Sequence, residues 1–262
     1  MTGFNLIPLI IPANLGGLLW LLLLSGPLLI LQRRLHRETQ VIFLLLTRRI
    51  DIAWALFSLL FFPGVLLHET SHFLMARFLG VRTGRFSLIP RQMSNGRLQL
   101  GYVETASTDW FRDAMIGAAP LFLGGLFVAY AGVVHLGLPS LWDQYALGGF
   151  NAILAVIPSI YEKPDFWLWF YLTFAVSSTM LPSPSDRRAW LPLALIAALL
   201  FGISLAAGAG PWLLQHLASP LDRFLQAVAV VVAISVLVHL ALLPPMWGLR
   251  HLLVQVTGLE VV

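Results

Sequence analysis

Not one of the 262 residues is cysteine, which excludes disulfides, zinc–thiolate sites and iron–sulfur clusters. Charge is scarce as well. Only 11% of the chain is Asp, Glu, Lys or Arg, about half the share found in a soluble domain, while 58% is hydrophobic. The polar interruptions are short, so the chain reads as one integral membrane domain over 1–262 with no appended soluble module. It also lacks a dense basic face, which excludes nucleic-acid binding. The formal charge of +4 is instead expected to set orientation and to meet anionic headgroups of the lipid bilayer. Met1 to Asn14 has no basic n-region, and its apolar stretch runs past Leu29, so a retained first span is expected in place of a cleaved signal peptide. There is no internal repeat and no low-complexity tail.

A hydrocarbon core takes about 20 apolar residues of helix. On that measure spans are expected at 6–31, 52–79, 114–136, 166–181, 190–207 and 224–243. Pro8, Pro12 and Pro27 are tolerable in the first, and Pro63 predicts a kink in the second. A basic linker (Arg33, Arg34, Arg37, Arg48, Arg49) follows the first span, with Val41 to Leu46 lying at the interface. Between Gly80 and Arg112, the runs Arg85 to Pro90 and Arg97 to Val103 alternate with period two around Asn95-Gly96, which predicts a β-hairpin. Gly117, Gly124, Gly125, Ala129 and Gly132 predict close helix approach in the third span. Residues 137–164 are mixed, with Asn151 to Ile160 interfacial or re-entrant, and Pro244-Pro245 is expected to stop the sixth span. The fold class is therefore an all-α polytopic membrane protein of about six transmembrane helices with a small membrane-surface β-hairpin. An even count puts both termini on one face with the hairpin. That face carries 9 Lys/Arg against 7, which favours the cytoplasmic side of a cell membrane.

Against this apolar background stands His68-Glu69-Thr70-Ser71-His72, at the end of the uncharged run Ile52 to Leu67. Residues four apart share a helix face, so His68 and His72 can offer two imidazoles to one metal ion. Glu69, beside the first histidine, is placed to polarise a water and not to ligate. This is the H-E-x-x-H arrangement of zinc proteases. A zinc ion needs a third protein ligand and an open position. Asp186 is the candidate, because spans two and four run in the same direction and end at one face; Glu104, Asp109 and Asp113 share it, and His239 lies at comparable depth. His36, His135, His216 and His251 read as interfacial.

From about Ile52 to Arg188 the chain resembles the site-2 protease family of intramembrane zinc metalloproteases. The resemblance rests on His68 to His72, the following hairpin with Gly101-Tyr102-Val103, Gly117-Ala118-Ala119-Pro120 where the family has a Gly-Pro turn, and an aspartate after the fourth span. The chain departs from the family's Asn-x-x-Pro and Leu-Asp-Gly. Ser178 to Pro182 keeps only the proline, and Arg187 follows Asp186. The resemblance implies a core at 52–188, accessory spans at 6–31, 190–207 and 224–243, and zinc (Zn2+) held by His68, His72 and Asp186. It implies Glu69 as catalytic base in an endopeptidase that cleaves membrane-spanning or membrane-associated protein substrates. The hairpin's free edge would hold substrate extended, and Ser177, Ser178 and Thr179 either bond the opened segment or serve as polar packing. Two rival classes stand beside this. A metal or ion transporter would show symmetric halves or paired broken helices, which are absent from the pattern. An inactive scaffold of the same fold has no need of Glu69.

Overall fold

The computed structural model describes residues 16–92 and 98–259. Leu6, Pro8, Pro12 and the Asn95-Gly96 turn lie outside the described residues. Helix α1 (Gly16–Thr47) does not end at Leu31 but continues through the expected basic linker and the Val41 to Leu46 segment. Arg, Leu, Gln and Glu are good helix formers, so charge marks where a helix leaves lipid without breaking it. The break comes at Arg48, whose φ of 55° is left-handed and turns the chain into α2 (Ile50–Phe78).

Asp51 in the first turn of α2 and Arg77 in the last complement the helix dipole. At its C-terminus Gly80 takes φ 71°. Its N–H donates to the Arg77 carbonyl at 3.1 Å, and the Val81 N–H donates to that of Ala76 at 2.8 Å. This is a Schellman closure, which only glycine makes without strain. It buries Val81 against Ala76 and Ile116.

The expected hairpin is present as two short antiparallel pairs. Strand β1 (Thr83–Ser87) pairs with β4 (Tyr102–Thr105), and β2 (Arg91–Gln92) with β3 (Leu98–Gln99). Phe86 faces Val103, and Ser87 faces Tyr102. Helix α3 (Trp110–Tyr130) starts at Asp109, whose carboxylate accepts from the Phe111 and Arg112 amides, and it runs on as a π turn, Ala131–His135. Residues 138–161 are helical, α4 (Leu138–Tyr161), with a break at Gly148-Gly149 where Gly149 has φ 64°. Helices α5 (Phe166–Thr179) and α6 (Trp190–Ala206) follow, and α7 (Gly210–His216) is bent 117° from α6. Helix α8 (Ala218–Thr257) passes straight through Pro244-Pro245, contrary to the expected stop.

Among the described residues four helices are long and apolar enough to cross a membrane: α1, α2, α3 with its π turn, and α8. The count reaches five if the bent α6–α7 pair is one span. The six expected spans are thus not reproduced, and α5 has only 14 residues. The parity is also different. The Gly17 N–H donates to Asp222 Oδ1 at 2.7 Å, and Arg250 pairs with Glu38 at 2.7 Å, so α1 and α8 run parallel. Six crossings would set them antiparallel. Arg250 therefore lies with Arg37, and Arg223 takes its place beside the start of α1.

The core is built by Leu35, Phe57, Phe61, Val65, Phe174 and Val238 from α1, α2, α5 and α8. Polar side chains face inward too: Ser71, Thr173, Ser177, Ser235 and His239 are all 0% exposed, while Leu59 and Leu195 are 68% and 62% exposed. A soluble protein avoids so much outward apolar surface. Long apolar helices with polar side chains turned inward between them mark a membrane protein.

Candidate metal centre

Two prolines prepare the site. In α3 the Ile116 carbonyl would ordinarily accept from the amide of residue 120, but Pro120 has none. The freed oxygen is met by His72 Nδ1 at 2.8 Å. At the C-terminus of α5, Pro182 likewise leaves the Ser178 carbonyl open, and Gln32 Nε2 from α1 donates to it. The next carbonyl, Thr179, is an unsatisfied helix-end oxygen and lies 2.7 Å from His68 Nδ1. Each histidine thus donates its Nδ1 proton to a backbone oxygen, which leaves Nε2 as the bare lone pair.

Those two Nε2 atoms face each other at 3.2 Å. Asp186 Oδ2 lies 3.7 Å from His68 Nε2, and Oδ1 lies 3.4 Å from His72 Nε2. Three acceptors therefore converge with no donor among them, as the ligands of a cation do. Four ligands on a tetrahedral ion at about 2.0–2.1 Å are separated by about 3.3 Å, close to the spacing seen here. The ligand atoms of His68, His72 and Asp186 all lie within 4.8 Å of one another, so the group could hold a metal ion.

Asp186 is held in place from both sides. Its Oδ2 accepts from the Ser183 amide at 2.7 Å within the turn that follows Pro182. Burial works to raise its carboxyl, and the Ser183 amide works against that by favouring the ionised carboxylate. The arginines after it do not neutralise it. Arg188 forks onto Asp113 with two bonds of 2.8 Å, and Arg187 Nε reaches back to the Ser183 carbonyl at 3.4 Å. Beneath the turn, Gly117 leaves room for the Asp186 carbonyl, which a Cβ at that position would strike. On the other side, a Cβ at Gly64 would strike the Ala175 carbonyl and Thr179 Oγ1, so glycine there lets α5 approach α2 one turn before His68. Gly117→Val is expected to push the Asp186 turn outward and weaken metal binding about 10–100-fold, read by metal titration, with the helical circular dichroism retained.

The remaining expectations sort clearly. Glu104 accepts from the Arg85 amide, Asp109 caps α3 and Asp113 holds Arg188, so none joins the three converging ligands. His239 is a helix–helix partner, with Nε2 3.0 Å from Ser178 Oγ and Nδ1 on the Ser235 carbonyl. Ser177 and Thr179 hydroxyls return to carbonyls of their own helix, which is polar packing. His36, expected at the interface, is turned inward against Phe57 and Phe61, with ring centroids 5.6 and 4.8 Å away. His135 pairs with Asp165 at 2.9 Å, and His216 and His251 are exposed. Sequence reading missed the carbonyl partners of both histidines and Gln32; the prolines at 120 and 182 were the available signal.

Glu69 stands on α2 between the two histidines, 7% exposed, in electrostatic contact with His68, His72 and Asp186. Its carboxylate has no hydrogen-bond partner among the described residues. Gly101, between β3 and β4, lies directly over it: a Cβ there would stand 2.9 Å from Glu69 Cγ.

No protein-family model, curated protein or solved structure matches this chain. Its class is defined by its own fold and site, as a helical membrane protein with a His-His-Asp group able to take a metal ion.

Proposed function

We propose that the protein is a zinc-dependent intramembrane endopeptidase of the site-2 protease kind, with membrane-spanning protein segments as substrates. The observation that carries this reading is the convergence of His68, His72 and Asp186, with Glu69 beside them, inside a bundle of apolar helices. Two neutral imidazoles and one carboxylate form a donor set suited to zinc, with a fourth position left for reaction. When bound, zinc supplies Lewis-acid chemistry, lowering the pKa of a water and polarising the scissile carbonyl. Glu69 Oε takes the proton of the attacking water and hands it to the leaving amine nitrogen. His68 and His72 turn Nδ1 to the Thr179 and Ile116 carbonyls, which leaves Nε2 of each as the atom that would hold the ion.

A helical substrate hides its carbonyls and must be opened first. The loop carrying Gly101 sits against Glu69, and β1–β4 is a two-stranded sheet whose free edge can take an extended segment by strand addition. The chain is read as multi-pass in the cell membrane, with its site face towards the cytoplasm. Exchanging Arg223 for Arg250 leaves that face with the same 9 Lys/Arg against 7.

Purified protein is expected to carry about one zinc per chain. In proteoliposomes it should cleave a co-reconstituted single-span substrate, and a chelator should stop cleavage until zinc is restored. Zinc flux across the vesicle without cleavage would instead make it a transporter.

A further inference from the structure

Away from the metal centre, α1 and α8 form a cavity of about 550 Å³ lined by Ile30, Arg33, Arg34, Arg37, Glu38 and Arg250. Positions 30, 33, 34 and 37 follow the spacing of one helix face, so α1 presents three guanidiniums side by side. The single carboxylate is already taken. Glu38 is 5% exposed and pairs with Arg250 at 2.7 Å. The contact is Coulombic without hydrogen-bond alignment, since neither Glu38 Oε2 nor Arg250 Nε has a hydrogen-bond partner among the described residues. Arg33, Arg34 and Arg37 are exposed and form no ion pair among the described residues. The cavity therefore gathers three cations without a counter-charge.

The surroundings say which anion fits. From Gly16 to Gln32, α1 carries no charge, and the arginines follow directly, exposed on the outside of an apolar bundle. Long guanidinium side chains on such a surface extend towards lipid headgroups. The parallel α8 brings Arg250 to the same end after an uncharged run from Phe224 to Leu249. Guanidinium forks match phosphate oxygens, and Ile30 adds an apolar wall one turn deeper.

We infer that this cavity binds the phosphate of an anionic phospholipid, with Arg33, Arg34 and Arg37 on the headgroup and Ile30 towards the acyl chains. The inference is independent of the protease reading, because none of these residues lies at the metal centre.

The test uses the full chain in neutral detergent, titrated with phosphatidylglycerol or phosphatidylcholine of identical acyl chains, with bound lipid counted by native mass spectrometry. Wild type is expected to prefer phosphatidylglycerol about tenfold or more, and R33Q/R34Q/R37Q to lose that preference. Equal binding of the two lipids by wild type, or an unchanged preference in the triple variant, overturns the inference. Inorganic phosphate is titrated alone in a parallel arm. If it saturates the cavity while phosphatidylglycerol shows no preference, the lipid assignment fails. Wild-type melting temperature decides the matter even if the triple variant does not fold: it should be higher with phosphatidylglycerol, and equal values in the two lipids reject the site.

Discussion

Glu69→Gln is expected to keep its zinc and to lose cleavage by about 10²–10⁴-fold, the range a positioned general base contributes. The amide matches the carboxylate in shape, so the packing of the side chain beneath Gly101 survives. What it cannot do is accept the proton of the attacking water. Glu69 is not one of the three converging ligand groups, so metal content should match that of wild type within error. The two readouts must be taken on one preparation, with metal by mass spectrometry and cleavage of the reconstituted substrate by gel. Undiminished cleavage removes Glu69 from the mechanism. Loss of zinc together with activity would instead make Glu69 part of the ligand set.

Asp186→Ala should strip the site of its only anionic ligand. Its effect on zinc affinity is expected to exceed the about 10–100-fold typical of lost supporting contacts. Glu104→Ala and Asp113→Ala are the controls, since both side chains are engaged elsewhere, and they should leave metal content unchanged. Because metal ligands bind in their deprotonated forms, acidification is expected to release the ion with proton uptake, read by metal content across a pH series. If Asp186→Ala retains wild-type zinc affinity, the third ligand is another residue.

The expected spans and the described helices differ for physical reasons. The charge at Arg33 predicts the end of a span, but backbone hydrogen bonding is indifferent to charged side chains that can reach headgroups, and α1 continues to Thr47. Pro244-Pro245 predicts a stop. In a long apolar helix the lost amides cost less than ending the helix would, because no water replaces the bonds of an unwound turn, and α8 runs on to Thr257. The parallel course of α1 and α8 was not legible at all. It depends on contacts such as Gly17 with Asp222, which join the two ends of the chain.

The histidine pair is another matter. That His68 and His72 share a face, with Glu69 beside them, is a property of helix pitch, so four residues of spacing determined it without any fold. So did the membrane class, which follows from composition. The third ligand was decided only by tertiary structure. Asp186 reaches the imidazoles because Gly117 leaves room for its turn and the Ser183 amide aims its carboxylate. Likewise the tautomers of both histidines were decided by carbonyls on α3 and α5. Local geometry sets which groups can act together along one helix. Packing between helices sets what they meet.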